Sequence, residues 1–257
     1  MGQSGTVGPG LAPDPALVAA AAMVFVDDLS SPLLSQADAH HLLDVLRLRP
    51  DEPVVASDGA GGWVTCRLGG ASAARNRGAP AAVSLEVDGR PTHQARTEPA
   101  ITVAFAPTKG DRPEWVTQKL TELGVDRIVP IHTGRSVVRW EGERGERAVT
   151  RLRRVATEAA AQSRRPWLPE VTPVATVAAL AERSPVPPVL AHPGGGLPSL
   201  SHPMVAVGPE GGWDDDELAQ WGHRMGLGPT VLRAETAAVA AGTVLCGLRS
   251  GLVGTLA

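Results

Sequence analysis

Met204-Val205-Ala206-Val207-Gly208-Pro209-Glu210-Gly211-Gly212-Trp213-Asp214-Asp215-Asp216-Glu217 is the most informative stretch of the 257-residue chain. Four apolar residues predict a short buried strand, Met204–Val207. It runs straight into three glycines within five residues, Gly208 to Gly212. Glycine lets a ligand approach the backbone closely, because no Cβ stands in the way. The acids from Asp214 onward suit the positive N-terminal end of a helix, predicted over Asp214–Met225. Open α/β sheets place ligands at such carboxyl ends of strands. Taken alone, the pattern fits a plain turn feeding a capped helix equally well.

Immediately downstream lies Leu227-Gly228-Pro229-Thr230-Val231-Leu232-Arg233-Ala234-Glu235-Thr236-Ala237. A strand is predicted at Thr230–Leu232, followed by a final small-residue helix from Thr236 to about Leu252. Arg233 and Glu235 read either as a structural ion pair at a helix start or as a functional pair. Upstream, strands are predicted at Ile101–Ala106, Arg127–Ile131 and Val189–Ala191. Helices are predicted over Arg112–Leu123 and over a long basic stretch, Arg144–Arg164. Strands alternating with helices predict a parallel sheet covered by helices, occupying residues 100–257.

The N-terminal part has a different rhythm. Residues 1–22 are Gly, Ala and Pro without periodicity, and they read as a disordered extension. Val24–Val26, Pro53–Ser57, Trp63–Leu68 and Ala81–Val87 are strand-like, with one short helix over Ala37–Leu48. Several short strands and one helix predict a small barrel over 23–90, joined by a linker at 91–99. Asp58-Gly59-Ala60-Gly61-Gly62 looks like a nucleotide-binding glycine loop, but Trp63-Val64-Thr65-Cys66 follows it. A phosphate-binding loop must open a helix, so a hairpin turn is the reading here.

Composition narrows the function classes. Two cysteines, Cys66 and Cys246, lie far apart, which excludes a disulfide framework and a cysteine-based zinc site. No stretch approaches the roughly 20 apolar residues of a membrane span, which excludes an integral membrane protein, and the cysteine usage fits a reducing, cytoplasmic location. Aromatic residues make up 3%, which argues against recognition by rows of stacked rings. The net charge is −3, yet Thr133–Arg165 holds nine Arg and four Glu. That local excess reads either as a nucleic-acid-facing helix or as a solvated face laced with Glu–Arg pairs. His192 has no second ligand at a useful spacing, so no metal is expected.

Four blocks in order resemble one family. Gly208-Pro209-Glu210-Gly211-Gly212 matches its GPEGG loop, and Leu227 to Ala237 its LGxxxLRxETA loop. Lys109-Gly110-Asp111-Arg112, Glu114, Gln118-Lys119 and Glu122-Leu123-Gly124-Val125 match a KGDRxExxxQKxxELGV block. His40-His41-Leu42 and Val45-Leu46-Arg47 match an HHLxxVLR pattern. From Met23 to the C-terminus the chain is similar to the SPOUT-class bacterial 16S rRNA (uracil-N3)-methyltransferases. Two departures stand out. No Arg lies beside Val24–Val26, and a segment usually reading EQSGR appears as Ala161-Gln162-Ser163-Arg164-Arg165.

The resemblance implies a SPOUT domain whose C-terminal chain is threaded as a trefoil knot, preceded by a PUA-like RNA-binding barrel. It implies S-adenosylmethionine as methyl donor and a uridine of 16S rRNA in the small ribosomal subunit as substrate. A homodimer through the knot domain is also implied. Carried onto this sequence, the cofactor residues are His192, Gly208, Pro209, Glu210, Gly211, Gly212, Leu227, Gly228, Leu232, Arg233 and Thr236. Arg233 would stabilise the uracil anion and Glu235 would take its proton, so both are the catalytic candidates. Arg47, Arg49, Lys109, Arg112, Arg151, Arg154 and Arg165 would contact RNA. Other readings are a SPOUT enzyme acting on tRNA or on a ribose 2′-oxygen, and a non-catalytic ribosome-assembly factor that binds RNA.

Overall fold

The computed structural model describes residues 13–69, 83–182 and 186–254. The chain divides into two compact units. One comprises the residues up to Arg96 together with Ala160–Trp167, and the other Thr97–Ala159 and Leu168 onward.

In the first unit, helix α1 (Pro15–Ala19) precedes strand β1 (Ala22–Phe25). Helix α2 (Gln36–His40) passes into a π-helical turn at His41–Val45, followed by strands β2 (Pro53–Ser57), β3 (Gly62–Leu68), β4 (Leu85–Val87) and β5 (Thr92–His93). The sheet order is β1-β2-β3-β4, with β5 also on β3. Alternation along the strands divides the apolar residues between two faces. Val24, Val54, Ala56, Val64 and Cys66 pack in one cluster, and Met23, Val55 and Trp63 in another with Leu17 and Ala20.

That second cluster corrects the expectation of a disordered 1–22. Residues 13–22 are ordered because Leu17, 2% exposed, covers a sheet face that would otherwise stay wet; residues 1–12 lie outside the described residues. The 91–99 linker is corrected too, since Thr92 and His93 pair with Trp63 and Gly62. The glycine run at 58–62 is the turn of the antiparallel β2–β3 hairpin. Asp58 Oδ1 accepts from the Ala60 and Gly62 amides at 2.7 and 2.9 Å, which closes the turn. Residues 160–167 pack with this unit through Trp167. Its Nε1 donates to the Gln94 carbonyl at 2.8 Å, and a Cβ on Gly61 would collide with its ring.

The second unit carries strands β6 (Thr102–Phe105) and β7 (Arg127–His132), with helix α3 (Arg112–Glu122) between them and α4 (Gly142–Gln162) after them. Then come β8 (Glu170–Val171), β9 (Ala175–Thr176), α5 (Val177–Glu182), β10 (Val189–Gly196) and β11 (Met204–Val207). The chain ends with α6 (Asp215–Gln220), β12 (Arg224–Met225) and α7 (Ala234–Arg249). The sheet is parallel throughout in the order β12-β10-β11-β6-β7-β8, with β9 on β7. Burial on both faces explains the near-continuous apolar strands. Val103 and Phe105 join one core cluster with residues of α3, α4 and α7, while Ala104 joins the other with Trp213 and Trp221.

Two C-terminal predictions need correction. The helix from Asp214 stops at Gln220 rather than Met225, because Trp221 turns into the core with extended backbone. The strand lies at Arg224–Met225 rather than Thr230–Leu232, where the chain is irregular and Val231 is 86% exposed.

Candidate functional site

The neighbouring strands β10 and β11 border one cavity of about 360 Å³ in the second unit, β10 through Ala191, His192 and Pro193 and β11 through its last residue, Val207. Its walls combine apolar side chains, including Leu227, Leu232, Val207 and Leu218, with stretches of bare backbone. Of the residues expected to hold a cofactor, His192, Gly208, Pro209, Glu210, Gly212, Leu227, Gly228 and Leu232 all line it. Gly211, Arg233 and Thr236 do not. Gly211 turns away, and its carbonyl accepts from Arg135 Nη1 at 3.1 Å.

Local physics sets the loop after β11. Gly212, at φ +70°, and Gly228, at φ +137°, occupy backbone regions that strain any side chain. Gly208 lies against the Trp213 ring, where a Cβ would approach within 3.1 Å. Trp213 Nε1 donates to the Ala191 carbonyl at 2.9 Å, joining this loop to β10. Asp214 and Glu217 form a reciprocal cap on α6. Glu217 Oε1 also accepts from the Gly134 amide at 2.9 Å, which holds the loop carrying Arg135. Arg135 lines the cavity and was missed by the sequence reading. Its signal was position, since it lies just past the carboxyl end of β7, where open sheets place ligands.

The catalytic candidates stand next to this cavity at the start of α7. Arg233 is its N-cap, is exposed, and has no ion-pair partner among the described residues. Glu235 does not pair with Arg233. Its Oε1 lies 3.5 Å from Arg112 Nε, and its Oε2 is buried without a hydrogen-bond partner. Arg112 Nη1 is also 3.5 Å from Glu210 Oε1, so one guanidinium links both C-terminal loops. The Arg112 side chain remains 43% exposed in this bridge.

The other basic residues separate into groups. Lys109 and Arg151 line a second cavity of the same unit, Arg151 paired with Glu114. Arg154 is exposed on α4 and lies 3.5 Å from Glu158. Arg47, Arg49 and Arg165 belong to the first unit; Arg47 and Arg49 are exposed. Among the described residues no group of three metal-ligating side chains occurs. His192 instead hydrogen-bonds through Nδ1 to the Pro193 carbonyl at 2.6 Å.

Residues 96–246 match the family described as RNA methyltransferase domain, and residues 34–73 match RNA methyltransferase PUA domain. The chain belongs to this RNA methyltransferase family. Ribosomal RNA small subunit methyltransferase E of Mycobacterium bovis is 32% identical over 227 residues, which are 79% of this chain and 81% of that protein. The Bacillus subtilis protein of the same name is 29% identical over 221 residues, covering 78% and 83%. A solved structure of the Neisseria gonorrhoeae protein of that name, bound to S-adenosyl methionine, superposes with TM-score 0.74 at 28% identity. That match covers 88% of this chain and 97% of the other.

One titration follows from the loop after β7. His132 Nε2 accepts the Trp140 backbone N–H at 2.9 Å, which requires an unprotonated nitrogen there. Burial, assisted by the Arg139 charge, holds its pKa below the ordinary 6.5. The unfolded chain therefore binds the proton first as pH falls. Stability from this contact is complete above the unfolded value of about 6.5 and is lost progressively below it. Melting temperature should thus fall more steeply below pH 6.5 in the native protein than in His132→Gln. Parallel melting curves for the two proteins across that range would refute the assignment.

Proposed function

We infer that the chain is an S-adenosylmethionine-dependent methyltransferase acting on uracil N3 of a uridine in 16S rRNA of the small subunit. The observation that carries this reading is the glycine-walled cavity beside β10 and the carboxyl end of β11, in a chain of the RNA methyltransferase family. Its residues fit the cofactor. Gly212 and Gly228 offer backbone without Cβ, and Leu227, Leu232 and Val207 offer apolar walls for an adenine ring. Threading of the C-terminal chain as a knot, a homodimer through the second unit and a cytoplasmic location accompany the reading. Val231 at the cavity, 86% exposed, is an apolar side chain that a second copy would cover. Among the described residues, no helix is long and apolar enough to cross a membrane.

The bound cofactor supplies an electrophilic methyl group on a sulfonium, so the chain's own task is positioning and charge control. Uracil N3 is protonated at neutral pH and becomes nucleophilic as the anion. That anion spreads charge onto the flanking carbonyl oxygens. Arg233, exposed beside the cavity, offers a planar guanidinium to that charge. Glu235 Oε2 is a buried acceptor without a hydrogen-bond partner and Arg112 lies 3.5 Å from the other carboxylate oxygen, which leaves Glu235 as the candidate to take the N3 proton. Trp213, hydrogen-bonded to β10 and stacked beneath Gly208, fixes the loop against which the cofactor lies.

The direct test is nucleoside mass spectrometry of small-subunit rRNA treated with the protein and S-adenosylmethionine. The reading requires 3-methyluridine; a methylated ribose or an unmodified RNA would contradict it. The cavity has its own test. Gly212→Val puts a branched side chain into the lining at φ +70°. Calorimetry should show cofactor affinity reduced by about 100-fold or more, since both strain and bulk oppose binding. Native affinity in a folded Gly212→Val protein would move the cofactor elsewhere.

A further inference from the structure

A second cavity of the same unit, about 620 Å³, lies between the Thr108–Gly110 loop and the first turns of α4. Its floor is apolar, formed by Val138, Trp140 and Ala148. Its rim carries Lys109, Arg144, Arg147 and Arg151. Arg147 is paired with Glu143, and Arg151 with Glu114. Lys109 and Arg144 have no ion-pair partner among the described residues, so two full positive charges remain for a ligand.

Two chain segments run from this groove to the cavity assigned to the cofactor. In the first, Lys109 and Gly110 line the groove, and Arg112 reaches Glu210 on the cavity wall. In the second, Arg135 lines the cavity and Val138 the groove, three residues apart. A ligand that engages both places is chain-like and anionic. An apolar floor with a cationic rim matches an unstacked nucleobase carried between phosphates, as in single-stranded RNA.

We propose that this groove seats the nucleotide next to the target uridine, its base on the Val138 floor and its phosphates at Lys109 and Arg144. The inference rests on the function proposed above and adds a subsite to it. A neighbour held out of the stack makes extrusion of the target base easier, because unstacking is then shared between two sites.

The test uses the full-length protein and a small-subunit rRNA fragment, made intact or with an abasic residue on either side of the target. Binding is followed by fluorescence anisotropy and methylation by single-turnover assay. Loss of the base on one side should weaken native binding roughly tenfold. Lys109→Ala/Arg144→Ala should weaken binding of the intact fragment and reduce the salt slope by about 1.4, at 0.7 for each lost phosphate contact. Val138→Gln, which makes the floor polar without adding charge, should weaken the intact fragment but leave the abasic one as it is in the native protein. Cofactor affinity by calorimetry should stay native in both variants. Indifference to both abasic positions, or a native salt slope in the double variant, overturns the groove even if 3-methyluridine is formed. Groove-dependent binding without methylation keeps the groove and overturns the proposed reaction.

Discussion

Arg233→Ala is expected to bind S-adenosylmethionine within a few-fold of the native protein and to lose methyl transfer by roughly 10²–10³. That is the scale of losing one transition-state charge donor. Arg233 caps α7 with extended backbone, exposed and without an ion pair among the described residues, next to Leu232 and Ala234 of the cavity wall. It does not itself line the cavity, so the cofactor should hardly register its removal. The uracil anion exists only along the reaction path, and a group serving it affects turnover more than ground-state binding. Arg233→Lys should rescue poorly, because an ammonium lacks the planar fork. A structural clamp between Arg233 and Glu235 was the competing reading, and the geometry pairs Glu235 with Arg112 instead. Melting temperature, cofactor affinity and single-turnover methylation should be measured together. If all three fall in step, Arg233 is structural and the catalytic role is lost.

What the sequence revealed of this site was its backbone. Glycines at 208, 212 and 228, read as places where a ligand could approach main chain, all line the cavity, whereas Gly211 does not. Strands such as β6, β7 and β11 were legible because burial on both faces leaves an uninterrupted apolar run. Side-chain partnerships were not legible. Arg112 and Glu235 are 123 positions apart, and no local pattern announces that α3 and α7 pack together. Gly242 explains that packing only once the fold is known, since a Cβ there would lie 2.6 Å from Leu120 Cδ2. Short edge elements, β5, β8, β9 and β12, were also missed, because two residues carry no periodicity. The apparently structureless 13–22 failed for a related reason. One buried leucine in a five-residue helix decides its order, and that signal is tertiary.

Arg249→Ala is expected to be the most destabilising substitution considered for the second unit, although it lies at the opposite end of α7 from the chemistry. Arg249 and Asp126 form an ion pair with side chains 10% and 8% exposed. Arg249 also donates to the Pro99 carbonyl at 3.2 Å and, through Nη2, to the Gly124 carbonyl at 2.8 Å. Asp126 Oδ2 accepts the Ile101 amide at 2.9 Å. One guanidinium thus anchors the end of α7 to the entries of β6 and β7. Removing it takes the counter-charge from a buried carboxylate, and breaking such a pair costs about 3–5 kcal/mol. For a chain of this size that corresponds to a fall in melting temperature of about 10 °C. Arg249→Lys should recover only part of it, since one ammonium cannot reach Asp126 and both carbonyls in the same fork geometry. The same variant should weaken cofactor binding only through the lost fraction of folded protein. The start of α7, with Arg233 and Glu235, is held separately by Arg112 and by Gly242 against Leu120. Cofactor affinity well below the native value at a temperature where Arg249→Ala is fully folded would show that the two ends of α7 are coupled. A melting temperature within about 2 °C of the native protein would show that the pair contributes little.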